Sequence, residues 1–195
     1  GRIYRVIWEG APKPKINSLA KAKTKQLIAA LDSDNLFWRQ TAQRLLVEGN
    51  HKNAIPTLRK RALSQGAGAI HALWTLKGLG ALDSETKRKT LISTDPAVKR
   101  NAIRALGQAK NDEQLLYDSA TLADRDLHVR LAAFVKLAQF PESKTHQRAA
   151  SVLSQDKINS EDEWLKLALS TAGGNQTDIV GYERGSNLLS NASFE

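Results

Sequence analysis

The sequence predicts an all-α fold: a right-handed α-solenoid of about five helix pairs, with a short N-terminal β-strand remnant in front and an irregular C-terminal tail behind. Three observations carry this. Four nine-residue segments, 38–46, 68–76, 98–106 and 129–137, align without gaps at intervals of 30, 30 and 31 residues. Each has a small residue (Ala42, Ala72, Ala102, Ala133) and, four positions on in every copy, a leucine (Leu46, Leu76, Leu106, Leu137). Aspartates precede three of the segments and glycines follow three of them.

The spacing has a packing reason. Positions four apart share one helix face, so a bulky residue, an alanine and a leucine make a single stripe. The alanine admits a neighbouring helix closely, and the leucine fills the space beside it. A period of about thirty residues holds two helices and two turns, a unit that buries its apolar stripe against its neighbours.

Taken in order, Ile3, Tyr4, Val6, Ile7 and Trp8 within 1–9 are β-branched or aromatic and read as one strand, which needs a partner strand from elsewhere. Pro12 and Pro14 mark 10–16 as a linker. The repeat domain is expected over 17–172. In it, shorter amphipathic helices at 24–31, 53–63, 84–92, 113–122 and 144–153 alternate with the four aligned ones, and a last helix at 161–172 closes the array. Asp34, Asp95-Pro96 and Asp126 are start signals, because a carboxylate accepts the orphan N–H groups of a first turn and proline fits there. Gly49, Gly80 and Gly107 are read as left-handed stops. Gly173 and Gly174 end the last helix, and 173–195 is read as a linker into the start of a following domain.

Composition excludes several chemistries. There is no cysteine, hence no disulfide framework, thiolate metal site, cysteine nucleophile or CxxCH haem attachment within these residues. No apolar run approaches the roughly 18 residues of a membrane span. The start, Gly1-Arg2-Ile3-Tyr4, lacks the features of a signal peptide, and the chain is expected to be processed or cut from something longer. The net charge of +9 is uneven: residues 1–65 carry 13 Lys/Arg against 4 Asp/Glu, 66–130 carry 10 against 8, and 131–195 carry 6 against 8. That places the excess at one end rather than along a stripe, which disfavours nucleic acid as the partner.

No catalytic set stands out. His51, His71, His128 and His146 are isolated and no HExxH occurs, so no metal ligands are assigned. The pairs Asp32/Asp34 and Asp124/Asp126 could serve as acid and base, yet each sits just before a repeat helix, where caps are expected. Gly66-Ala67-Gly68 lacks the lysine of a phosphate loop. The candidate interaction surface is Arg39, His71, Trp74, Lys99 and Arg130. Arg39, Lys99 and Arg130 recur at one register position, interrupted by Ala69. They either line a face that binds phosphate or carboxylate, or pair with the aspartates of adjacent repeats. His71 lies three positions before Trp74, and is either a polar contact in a docking groove or a hydrogen-bonded histidine between helices. Arg59-Lys60-Arg61 and Lys87-Arg88-Lys89 suit negative helix ends, and Lys13, Lys15, Lys21, Lys23 and Lys25 read as solvated. Phe37, Trp38 and Trp74 are expected in the core, and Trp164 as a plug on the end of the array.

Asp95-Pro96-Ala97-Val98-Lys99 and its copies resemble HEAT-like repeats. More closely, Gly1-Arg2-Ile3-Tyr4-Arg5-Val6 resembles the closing strand of a sugar-dehydrogenase-like β-propeller. Residues 38–46 and 71–83 resemble the helical region after such a propeller in the large, exported, haem-binding dehydrogenase-like proteins typical of planctomycetes. Residues 185–195 resemble the opening of a carbohydrate-binding jelly-roll module. The resemblance covers most of residues 1–140. It implies an extracytoplasmic location and a multidomain parent acting on sugars, with propeller-like, carbohydrate-binding or haem domains as neighbours in the same chain. The family's catalytic parts are missing from these residues, so the expectation is a non-catalytic spacer without a cofactor of its own, which orients its neighbours and offers a groove to other proteins. The alternative is a nucleic-acid-binding HEAT array, like the helical-repeat DNA glycosylases, using the basic first third.

Overall fold

A computed structural model describes Tyr4, residues 8–10, 18–141 and 143–173. The described residues are all-α. The expected strand, the linker and most of the tail lie outside them; Tyr4 and Trp8 are exposed.

Eleven α-helices follow one another among the described residues: α1 (Thr24–Ala30), α2 (Leu36–Glu48), α3 (Ile55–Ala62), α4 (Gly66–Gly78), α5 (Ser84–Leu91), α6 (Pro96–Ala105), α7 (Lys110–Asp118), α8 (Leu127–Leu137), α9 (Lys144–Ser154), α10 (Lys157–Glu161) and α11 (Glu163–Ala172). Short 3-10 turns, Lys52–Ala54 and Ala120–Ala123, precede α3 and follow α7. Each helix packs on its partner: α1 on α2, α3 on α4, α5 on α6, α7 on α8, and α9 with α10 on α11. The second members also pack on one another in succession, α2 on α4, α4 on α6, α6 on α8, and α8 on α11. Among the first members, α3 meets α5 and α5 meets α7 more lightly.

The Ala/Leu stripe is the seam of this packing. Ala42, Ala72, Ala102 and Ala133 are at most 2% exposed, and Leu46, Leu76, Leu106 and Leu137 at most 1%. They belong to one continuous apolar cluster that runs from Leu27 to Ala172. The bulky position ahead of the alanine holds Trp38, Val98 and Val129 in three copies but Gly68 in the fourth. There the space is taken by the carboxylate of Asp32 and the guanidinium of Arg61, into which a side chain on residue 68 would run.

Of the three expected aspartate caps, Asp95 and Asp126 hold and Asp34 does not, while α1, α3, α4 and α7 start without a side-chain cap bond. Asp83 accepts from Thr86 N at 2.8 Å, Asp126 from Val129 N at 3.0 Å and Asp162 from Leu165 N at 2.9 Å. The cap of α2 is Asn35 rather than Asp34, through Phe37 N at 2.9 Å. Of the three expected glycine stops only Gly80 is left-handed (φ 65°); after α2 that role falls to Asn50 (φ 48°), not Gly49. Gly107 instead donates its N–H to Asp112 Oδ2 at 2.6 Å. Helix α10 was not expected; Asp156 caps it, accepting from Asn159 N at 3.1 Å, and the buried Asn159 donates to Leu153 O at 2.8 Å. Two aromatics depart from their expected places, Phe37 from the core and Trp164 from the end plug. Phe37 is 61% exposed and Trp164 67%, so the last helix closes the cluster with Leu165, Ala168 and Leu169 instead.

Polar contacts between repeats form a ladder along the turns that join paired helices. Arg61 pairs with Asp32 of the turn before it, and its guanidinium also bonds Ser64. Gly66 N donates to Asp95 Oδ2 at 2.8 Å, and Gln65 Nε2 to Thr94 Oγ1 at 2.8 Å. Lys99 pairs with Asp124. Arg130 bonds Asp124 O at 3.1 Å, Asn159 Oδ1 at 2.7 Å and Asp156 Oδ1 at 3.3 Å. The first members have their own rungs: Thr24 with His51 at 2.8 Å, Arg59 with Asp83 at 2.9 Å, and Lys87 with the buried Asp112 at 2.6 Å. Asp95 serves twice, capping α6 through Ala97 N and the preceding repeat through Gly66 N.

Two outcomes follow from this packing. Ala102→Leu adds volume to a filled seam and is expected to lower the unfolding free energy by about 1–3 kcal/mol, read from urea denaturation. Asp95→Ala is expected to lower it by about 1–3 kcal/mol at neutral pH, since it removes one cap and leaves Gly66 N without its acceptor. The Gly66 N–H, then those of Ala97 and Val98 and the Arg100 charge, outweigh burial and hold the Asp95 carboxyl below its ordinary range. A depressed acid contributes stability above its unfolded value near pH 4, and that contribution is lost as pH falls through the folded value. The difference between the native protein and Asp95→Ala should therefore shrink in acid; a difference unchanged at pH 2 contradicts the assignment.

Candidate binding face

Helices α2, α4, α6 and α8 each bury one side against the first members and two flanks against each other, which leaves one face to solvent. Register decides what stands on it. With the repeat at about thirty residues, Gln40, Ile70, Arg100 and Leu131 occupy one equivalent row, Arg44, Trp74, Arg104 and Val135 the next, and Thr41, His71, Asn101 and Ala132 lie between them.

Two hollows open on this face. One, of about 490 Å³, lies between α2 and α4 over Gln43, Arg44, Val47, His71 and Trp74. The other, of about 570 Å³, lies between α6 and α8 over Arg100, Arg104, Leu131, Val135 and Lys136. Trp74 stands between them. Its indole N–H donates to Asn101 Oδ1 at 2.8 Å, and Asn101 Nδ2 in turn donates to Ala97 O at 2.8 Å, so the ring is pinned to α6. Lys77 Nζ sits 5.1 Å from the Trp74 ring centroid, a cation–π distance.

The charge on this face is positive. Arg44 pairs with Glu48 at 3.0 Å across one helical turn, and Arg100 reaches Asp126 only at 3.8 Å. Among the described residues neither Lys77 nor Arg104 has an ion-pair partner. Lys136 is buried on α8 and donates to Leu106 O at 2.9 Å, closing the C-terminal end of α6. Burial first, then the Lys77 charge, pushes the Lys136 ammonium down from its ordinary value, with Asp112 opposing.

The five residues singled out from sequence separate into two groups. Arg39, Lys99 and Arg130 turn away from this face into the turns. Arg39 Nη1 donates to Ser33 O at 2.5 Å and Asp34 O at 3.0 Å, while Lys99 and Arg130 are rungs of the ladder. His71 and Trp74 do line the α2–α4 hollow. His71 also fulfils the alternative reading, with Nδ1 2.7 Å from Gln43 Oε1 of the adjacent helix. Sequence reasoning missed Arg44, Lys77, Arg100, Arg104 and Lys136. The usable signal was positional: Arg44 and Arg104 share the Trp74 row, and Arg100 lies one turn before Arg104.

The arrangement suits recognition of an anionic, partly apolar ligand. Arg guanidinium groups fork onto carboxylates, and Leu131, Ala132 and Val135 supply an apolar floor between them. The acidic pairs are structural: Asp32 holds Arg61, and Asp124 accepts Asp126 N at 2.9 Å as well as Lys99. Among the described residues no three His, Cys, Asp or Glu side chains gather as a metal-binding group. No helix among them is long and apolar enough to cross a membrane.

Burial, and after it the charge of Arg39, holds the His71 imidazole below its ordinary value of 6.5. A histidine depressed in the folded state binds protons more readily when unfolded, so its contribution to stability declines as pH falls below about 6.5. In an NMR titration the His71 ring is expected to have its midpoint below 6.5, and Arg39→Gln to move that midpoint upward; a midpoint above 6.5 contradicts the geometry. No protein-family model matches the chain, and no curated protein matches it.

Proposed function

We propose that this chain is a non-catalytic scaffold: a right-handed, HEAT-like α-solenoid of five helix pairs that sets the spacing of neighbouring domains and offers one face for protein contact. The observation that supports the reading is the reach of its polar contacts. Among the described residues, the hydrogen bonds and ion pairs between side chains of different helix pairs join residues between 24 (Arg59 to Asp83) and 33 (Glu113 to His146) apart. These contacts link each unit to the unit before or after it, the connectivity expected of a one-dimensional stack. In this reading α2, α4, α6, α8 and α11, which meet one another in succession, are the inner row of the array. From the family resemblance, the setting is a multidomain, extracytoplasmic dehydrogenase-like protein, with propeller-like and carbohydrate-binding or haem domains as the neighbours it orients.

A second reading has one observation in its favour. Arg100 and Arg104 line one hollow on the exposed face, which would suit phosphates of a nucleic acid bound by the array. Binding of duplex DNA that persists at physiological salt would promote it, because phosphate contacts weaken steeply as salt rises.

Absence of native cysteine makes the spacer role directly measurable. Spin labels on Lys25→Cys and Lys166→Cys, exposed positions on α1 and α11, report the end-to-end distance by pulsed EPR on the full chain. A rigid spacer gives one narrow distance distribution. A broad or multimodal distribution rejects the proposal.

A further inference from the structure

We propose that the face formed by α4, α6 and α8 receives an acidic, partly apolar segment of a partner polypeptide, its carboxylates gripped by Arg100, Arg104 and Lys77 and its apolar side chains seated on Leu131, Ala132 and Val135. This deepens the scaffold reading and rests on it.

Charge complementarity carries the argument. The hollow between α6 and α8 is lined by Arg100, Arg104, His128 and Lys136, and no carboxylate lines it. Asp126 lies 3.8 Å from both Arg100 Nη1 and His128 Nδ1, too far for a hydrogen bond to either. Arg100 and Arg104 are one turn apart on the same side of α6, so both guanidinium groups face one occupant. Lys77, on α4 over the Trp74 ring, adds positive charge to the same face. An arriving carboxylate gains charge-assisted hydrogen bonds from the guanidinium groups in a setting already partly dehydrated.

Shape and surface select a polypeptide over a nucleic acid. A hollow of about 570 Å³ is of the size that accepts a few side chains or a small ligand. Its floor is aliphatic, and Val135 is 46% exposed there. Stacking of bases requires a free aromatic face, whereas the Trp74 ring is overlaid by Lys77 and fixed at its N–H by Asn101. An extended segment alternating acidic and apolar residues meets both the floor and the cations.

Fluorescence anisotropy on the full chain tests the inference, with four labelled probes at physiological salt: a short peptide of Glu, Asp, Leu and Ala; the same peptide with Gln and Asn in place of the acids; a single-stranded oligonucleotide; and a duplex. The acidic peptide is expected to bind about tenfold or more tightly than its amide counterpart. The double variant Arg100→Glu/Arg104→Glu is expected to weaken it by a similar factor, and Lys77→Glu, on a different helix, to weaken it as well; far-UV circular dichroism checks that each variant remains helical. Equal binding of the acidic and amide peptides, no binding of either, or tighter binding of an oligonucleotide overturns the inference. A narrow spin-label distance combined with any of these results removes the acidic partner and leaves the scaffold; a broad distance removes the scaffold itself.

Discussion

A two-helix unit of about thirty residues buries its apolar stripe only against the next unit, and this constraint shapes the rest of the molecule. It requires a small residue wherever one second-member helix crosses the next, which is why Ala42, Ala72, Ala102 and Ala133 are sealed from solvent in every copy. It also joins the buried residues of successive units into one continuous apolar cluster.

Polar groups follow the same geometry. Helix N-termini recur at each turn, stacked one repeat apart, and the aspartates that cap them come within reach of cations from the adjacent unit. Asp95 shows how one side chain serves both demands, capping its own helix and accepting the Gly66 N–H of the repeat before. The ladder is not made of identical rungs. Where Ala69 interrupts the basic series, Gly66 N–H and Gln65 Nε2 reach the next unit at Asp95 and Thr94 instead. The junction before it is made by Arg61 reaching back to Asp32, a pair for which Gly68 leaves room.

What core and ladder leave open is the exposed side of α2, α4, α6 and α8. Some of its residues still hold neighbouring helices together, as Trp74 does through Asn101 and Lys136 through Leu106 O. Cations stand there beside an aliphatic floor, and among the described residues Lys77 and Arg104 have no carboxylate partner.

The helices, their pairing in sequence and their starts were legible because they rest on local rules: four-residue spacing, carboxylate caps and the thirty-residue period. Helix α10 was not, since a single turn carries too few residues for a period to show. The stop after α2 was misplaced because Asn50 tolerates the left-handed conformation that was assigned to Gly49. The site divides in the same way. His71 and Trp74 could be picked out as unusual residues on one helix face, but Arg39, Lys99 and Arg130 were indistinguishable from surface cations until the turns they reach were placed beside them. Conversely, counting charge along the chain put the positive excess at the N-terminal end. Only the stacking of α2, α4, α6 and α8 brought Arg44, Lys77, Arg100 and Arg104, dispersed over sixty residues, onto one face. Sequence determines what each helix offers to its neighbours; which side chains become neighbours is decided by the tertiary packing, because proximity across repeats depends on helix rotation that no local spacing records.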